Sequence, residues 1–212
     1  MIEHTLLKSE TTRQDIENLC AEAKQYKFAC VCVNPSYVKF CAQLLSDVDV
    51  KICSVIGFPL GATSSVAKAC ETEQAIKDGA REVDMVINVG MLKSGEYDYV
   101  KQDILAVVNI AHYFKALTKV IIETGLLTED EKIKACEIVK NSGADFVKGG
   151  ATIDDIMLIC KVVGPKIGIK ASGGISTQEQ ALALIACGAT RIGASASVKI
   201  VAGENASFTP IY

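Results

Sequence analysis

Along the chain, short apolar runs alternate with segments whose apolar positions recur every three to four residues. The runs fall at 2–6, 29–33, 51–56, 82–88, 119–123, 145–148, 167–170 and 191–194. Each is too short for a buried helix and most are rich in Val, Ile or Cys, so each predicts a strand. Between them lie helical patterns such as Ile16, Leu19, Cys20 and Ala23, spaced i, i+3, i+4, i+7. Thr128 with Glu131, and Ser176 with Glu179, have the spacing of capping boxes, in which a hydroxyl accepts a free N–H at the helix start and the acid reaches back. Gly79-Ala80, Gly143-Ala144 and Gly188-Ala189 each close a helical pattern and lead into a strand, as glycine does at the left-handed position ending a helix.

Eight strand–helix units in succession predict an α/β chain with a parallel sheet, and eight strands close into a (β/α)8 TIM barrel. The expectation is a single barrel domain over residues 1–212. A doubly wound open sheet is the alternative, but no Gly-rich fingerprint follows the first strand. In a barrel the C-terminal strand ends converge on one site.

Among the charges in these apolar strands, three stand out. Lys148 and Lys170 end consecutive runs, and Asp84 lies inside 82–88. A lone buried ammonium costs several kcal/mol, roughly, unless it is paired or loses its proton. If the two lysine strands are neighbours, about 4.8 Å apart, each amine is expected to oppose protonation of the other. Desolvation adds to the same depression, and a neutral amine attacks carbonyls. The period of two puts Gly168 and Lys170 on one face, toward the barrel interior, with Ile167 and Ile169 toward the helices. Asp84 shares a face with Val86 and Asn88 and needs a cationic partner, which a lysine supplies; a carboxylate beside a lysine can relay protons.

Several segments carry a family resemblance. They are Ile-Glu-His-Thr-Leu-Leu (2–7), Val-Cys-Val-Asn-Pro (31–35), Gly-Phe-Pro-Leu-Gly (57–61) and Glu-Val-Asp-Met-Val-Ile-Asn-Val-Gly (82–90). Lys-Val-Ile-Ile-Glu-Thr-Gly-Leu-Leu (119–127), Asp-Phe-Val-Lys (145–148) and Gly-Ile-Lys-Ala-Ser-Gly-Gly-Ile (168–175) continue the series. In this order, across nearly the whole chain, they resemble the deoxyribose-phosphate aldolase family. The resemblance implies a TIM barrel and a class I aldolase that cleaves 2-deoxyribose 5-phosphate reversibly to glyceraldehyde 3-phosphate and acetaldehyde, in deoxyribonucleoside catabolism, without metal or other cofactor. It makes Lys148 the Schiff-base lysine, Lys170 the lysine that perturbs it and Asp84 the acid of the proton relay. Cys32 matches a family cysteine near the substrate aldehyde, although buried packing is the plainer role for a small thiol. Tyr212 matches a terminal tyrosine whose tail assists proton transfer in some members. Glu3 stands where the family more often has Asp.

The phosphate end departs from the family. Gly149-Gly150-Ala151-Thr152 replaces Thr-Ser-Thr-Gly, Asp154 and Asp155 follow, and Ser176 stands where arginine is common. These changes remove hydroxyls and positive charge, so a relaxed need for the phosphate is expected. Backbone N–H groups of Gly173, Gly174 and Gly193, with Ser195, follow strands seven and eight, where barrels commonly hold phosphate. The alternatives are a Schiff-base aldolase for another or unphosphorylated substrate, and a barrel that binds without catalysis. The latter predicts loss of a lysine or of Asp84, and all three are present.

Composition narrows the partners. A net charge of −3 offers no basic field for nucleic acid or an anionic membrane. No apolar run approaches the roughly 20 residues of a span, and the start lacks the basic and apolar pattern of a signal peptide. Nine cysteines are an odd number without C-x-x-C spacing. They read as buried reduced thiols in a cytoplasmic protein, with Cys20, Cys70, Cys136 and Cys187 on helix faces. His4 and His112 have no partner at ligand spacing, so no metal site is expected. The partners expected are a small phosphorylated sugar and a second copy of the chain in a dimer.

Overall fold

The structure, a computed structural model, describes residues 1–202; Tyr212 lies outside the described residues. The strands are β1 (Ile2–Leu6), β2 (Cys30–Val33), β3 (Lys51–Ile56), β4 (Glu82–Val86), β5 (Leu117–Ile121), β6 (Phe146–Gly149), β7 (Gly168–Ser172) and β8 (Arg191–Ala194). All pair in parallel in chain order, and β8 closes on β1, giving the expected (β/α)8 barrel. The helices are α1 (Arg13–Tyr26), α2 (Val38–Leu44), α3 (Ser65–Lys77), α4 (Val89–Lys93), α5 (Tyr97–Tyr113), α6 (Glu129–Asn141), α7 (Ile153–Val163), α8 (Gln178–Ala186) and α9 (Ser197–Ala202). None is long and apolar enough to cross a membrane.

The alternation along each strand divides the interior in two. Outward residues such as Ile52, Val83, Met85, Val120, Val147, Ile169 and Ile192 join the helix faces in one continuous apolar layer. Burying this layer provides most of the driving force for folding. Inside the barrel, Cys30, Cys32, Cys53 and Val55 of β2 and β3 form a separate apolar cluster. The remaining strands bring charge into the interior, beside buried Val86 and Ile121.

Several boundaries differ from those expected. β5 lies two residues earlier than 119–123, because pairing of Glu82 with Leu117 sets its register, and Glu123 leaves the extended region at φ 54°. Asn88 is not on the strand face. It caps α4, its side chain accepting from the Met91 N–H at 3.1 Å. The Thr128–Glu131 box forms in both directions. The second box is displaced by one residue: Thr177 caps α8, and Gln180 rather than Glu179 accepts the N–H groups of residues 176 and 177. Cys70 is exposed on α3, so its thiol does not serve the core. Cys20 and Cys136 are buried as expected, and Cys187 is half-buried.

A second buried charge pair ties the helix layer to the barrel. Lys68 of α3 and Asp103 of α5 are both fully buried, with Lys68 Nζ 2.5 Å from Asp103 Oδ2 and 2.9 Å from the Val86 carbonyl. Gly57 leaves room for the lysine stem, since a Cβ there would lie 2.9 Å from Lys68 Cε. Lys68 thereby fixes the end of β4, the strand that carries Asp84. Replacing one partner leaves the other charge buried and unpaired. Lys68→Met is expected to destabilise by about 3–5 kcal/mol, with most of that recovered in Lys68→Met/Asp103→Leu; urea denaturation of the three proteins measures it.

Candidate active site

Register brings the predicted residues together. Lys148 pairs with Lys170 across β6 and β7, and Asp84 pairs with Lys119 across β4 and β5. Side chains opposite one another in adjacent parallel strands point to the same face, so all four enter the barrel.

Asp84 is the hub. Its Oδ2 accepts from Lys148 Nζ at 2.9 Å and Lys170 Nζ at 2.7 Å, and its Oδ1 accepts from Lys119 Nζ at 2.9 Å and Cys53 Sγ at 3.1 Å. Lys170 also bonds Glu3. Lys119 reaches Glu82 at 2.6 Å and Glu3 at 3.4 Å, and Arg191 lies 3.3 Å from Glu82 and 3.4 Å from Glu3. Sequence reasoning identified Lys148, Lys170 and Asp84, and singled out Glu3 only as a departure from the family's more usual Asp. It missed Lys119, Glu82 and Arg191. The signal was available for Lys119 and Glu82, which are also charges in apolar strands.

The electrostatics follow from this crowding. Burial pushes the Asp84 carboxyl upward, but Lys119, Lys148 and Lys170 outweigh it and hold it well below its ordinary value. Burial pulls the Lys170 ammonium downward, yet Asp84 and Glu3 overcome this and hold it well above the usual lysine range. Lys119 behaves likewise, through Asp84, Cys53, Glu3 and Glu82. The expected depression of Lys170 is therefore corrected. Repulsion between the lysines is smaller than the attraction of carboxylates that both contact directly.

Glu3, Cys32, Cys53 and Asp84 place four donor atoms within 4.8 Å of one another. The carboxylates among them already bond ammonium groups, so the cation matched to this donor set is lysine.

Lys148 is the hub lysine that opens outward. It lines a cavity of about 770 Å³ at the C-terminal ends of the strands, together with Gly173, Gly174, Gly193 and Ser195, all expected there, and Ser176. Lys170 and Asp84 lie beneath it, fully buried. Cys32 is also beneath, with Sγ 4.0 Å from Asp84 Oδ2 and no exposure; its place is in interior packing, away from the cavity wall. Gly193 has a use beyond the wall, because a Cβ there would lie 2.8 Å from Lys170 Cε. Gly173 and Gly174 adopt φ of 106° and 75°, which a side chain would strain.

The departures after Lys148 have a local cause. A Cβ at Gly149 would meet Ile159 at 2.5 Å, and one at Gly150 would meet the Thr124 hydroxyl at 2.7 Å. That hydroxyl accepts the Gly150 N–H at 3.1 Å. Thr124, from the loop after β5, thus stands where a side chain at 150 would have been. Asp155 is paired with Lys132 at 2.6 Å, which offsets its charge.

Residues 1–203 match the family described as DeoC/LacD family aldolase. A deoxyribose-phosphate aldolase from Oceanobacillus iheyensis is 59% identical over 210 residues, spanning 96% of this chain and 95% of the relative. One from Thermococcus gammatolerans is 58% identical over 211 residues, spanning 95% and 94%. Among solved structures, the tetrameric deoxyribose phosphate aldolase of Aeropyrum pernix superposes with a TM-score of 0.89 at 32% identity, over 95% of this chain and 88% of that one.

The charge network sets a pH window for stability. Asp84, depressed from 3.8, contributes fully above that value and loses its contribution as pH falls toward its folded pKa. Lys119 and Lys170, raised from 10.5, contribute fully below that value and lose it as pH rises toward their folded pKa. Unfolding free energy measured against pH is expected to be flat with respect to these groups between the two ordinary values and to fall outside them. The Lys119→Met variant is expected to lose part of the alkaline decline.

Proposed function

Because the chain belongs to the DeoC/LacD family of aldolases, we propose that its cavity cleaves 2-deoxyribose 5-phosphate to glyceraldehyde 3-phosphate and acetaldehyde through a Schiff base on Lys148. The observation that carries this is one carboxylate oxygen, Asp84 Oδ2, shared at 2.9 and 2.7 Å by a lysine on the cavity wall and a lysine with no exposure.

The buried cluster holds Lys119, Lys148, Lys170 and Arg191 against Glu3, Glu82 and Asp84. With Lys148 as the free amine the cluster is electroneutral, and Lys148 is the lysine among them that meets the cavity. Its nitrogen attacks the C1 aldehyde of the substrate, and loss of water leaves an iminium. The iminium draws in the C2–C3 bonding electrons as the C3 hydroxyl gives up its proton, releasing glyceraldehyde 3-phosphate and leaving an enamine. Protonation of the enamine at C2 and hydrolysis then release acetaldehyde and free Lys148.

Asp84 is held as a carboxylate and Lys170 as an ammonium. In this role Asp84 takes a proton only in passing, while Lys170 supplies the stored one, with Glu3 behind it. Gly173, Gly174, Gly193 and Ser195 receive the phosphate. The free thiols suit a reducing cytoplasm. Copies of the chain associate, a dimer being the smallest form expected by sedimentation.

Borohydride reduction in the presence of 2-deoxyribose 5-phosphate is expected to trap an adduct whose peptide contains Lys148, and Lys148→Met to abolish it. An adduct confined to Lys170 reverses the two roles; no adduct and no turnover favour a barrel that only binds. Lys170→Met is expected to lower kcat by about 10²–10⁴-fold, the usual range for a proton-transfer group. Unphosphorylated deoxyribose handled with equal efficiency would remove the claim of phosphate specificity.

A further inference from the structure

Among the described residues, the wall of the cavity carries two charged side chains besides Lys148. They are Lys8, two residues beyond β1, and Glu123, two residues beyond β5. In the closed order β1 to β8, β1 and β5 are four strands apart in either direction. The cation and the anion therefore stand on opposite sides of the mouth. Among the described residues neither side chain forms an ion pair or a hydrogen bond, and both residues are exposed.

Glu123 also has an unusual backbone. Among the described residues, three other than glycine have positive φ: Lys27, Lys115 and Glu123. Lys27 caps α1 and Lys115 follows the end of α5, where a left-handed residue is the ordinary way to stop a helix. Glu123 ends no helix. It turns the chain out of β5 at the cavity wall, and a left-handed non-glycine residue at a site is strain held by its surroundings. The turn is secured on both sides: the Leu126 N–H donates to the Glu123 carbonyl at 2.9 Å, and the next residue, Thr124, holds Gly150.

Lys8 lies on the side of the proposed phosphate groups. β8 lies between β1 and β7, and Ser195 Oγ donates to the Thr5 carbonyl at 2.9 Å, three residues before Lys8. Ser176, on the same wall, brings no charge.

Resting on the aldol chemistry proposed for Lys148, we infer that Lys8 and Glu123 orient the substrate as an electrostatic pair across the mouth. Lys8 draws the phosphate ester toward the β7–β8–β1 side. Glu123 repels it from the β5 side, so the aldehyde end is the one that descends to Lys148. The pair supplies charge discrimination that glycine N–H groups and a serine do not supply alone, and an ester of any short sugar aldehyde would be oriented in the same way.

The test compares kinetics on 2-deoxyribose 5-phosphate and on deoxyribose. Lys8→Gln is expected to raise KM for the phosphate ester by about tenfold, the effect of losing one charge-assisted hydrogen bond, and to leave deoxyribose unchanged. Lys8→Arg keeps the wild-type KM. Added salt is expected to raise KM for the ester in the wild type and much less in Lys8→Gln. Glu123→Gln admits inverted binding, so kcat and KM for the ester fall together while deoxyribose is unaffected. Equal effects on both substrates, or none on the ester, overturn the inference while leaving the aldolase intact. If the wild type turns over neither sugar and traps no adduct, the Lys148 chemistry fails first, and the orienting pair fails with it.

Discussion

Everything in the barrel interior is arranged around one carboxylate. Asp84 has no exposure and contacts three lysine nitrogens. A buried carboxylate and a buried lysine are each costly, and together they are tolerable only in close contact with further bonds satisfied. Glu3, Glu82 and Arg191 complete that condition from β1, β4 and β8. The consequence is a rigid set of charges whose protonation states are fixed by neighbours instead of by solvent. Lys119 and Lys170 are held charged beneath the cavity, and Lys148 is the one of the three that meets its wall.

The barrel was legible because hydrophobic periodicity is written locally. Eight apolar runs and the glycine stops between them specify strand count and order without knowledge of any contact. Register was not legible in the same way. β5 begins two residues before the expected run because its partner strand, not its own apolar content, sets where pairing starts. Once extended geometry ended at Ile121, Glu123 was free to turn at the cavity wall.

The site was legible in part. Lys148, Lys170 and Asp84 were conspicuous as charges among apolar neighbours, and the structure joins them through one oxygen atom. Lys119 was equally conspicuous but stands at the start of its apolar run, where a lysine reads as a solvated strand end. The charge state of Lys170 could not be read at all. It depends on whether carboxylates or ammoniums lie closer, a three-dimensional fact, and the Glu3 contact joins residues 167 positions apart. Thr124 and Gly150 form a similar long-range match. The sequence showed hydroxyls missing after Lys148, while the fold shows the hydroxyl of Thr124, from the loop after β5, occupying the space.

The glycines around the cavity differ in what lies beside them. A Cβ on Gly149 or Gly150 would displace the end of the Ile159 or Thr124 side chain, whereas a Cβ on Gly173 or Gly174 would meet nothing within 4 Å. The β6 wall is therefore filled by neighbouring side chains, and the β7 wall is limited by its left-handed backbone and not by space. The loop after β7 has room for side chains that tolerate its left-handed backbone, while a side chain added after β6 has to move Ile159 or Thr124 first. The spare volume at the mouth thus lies on the β7 side.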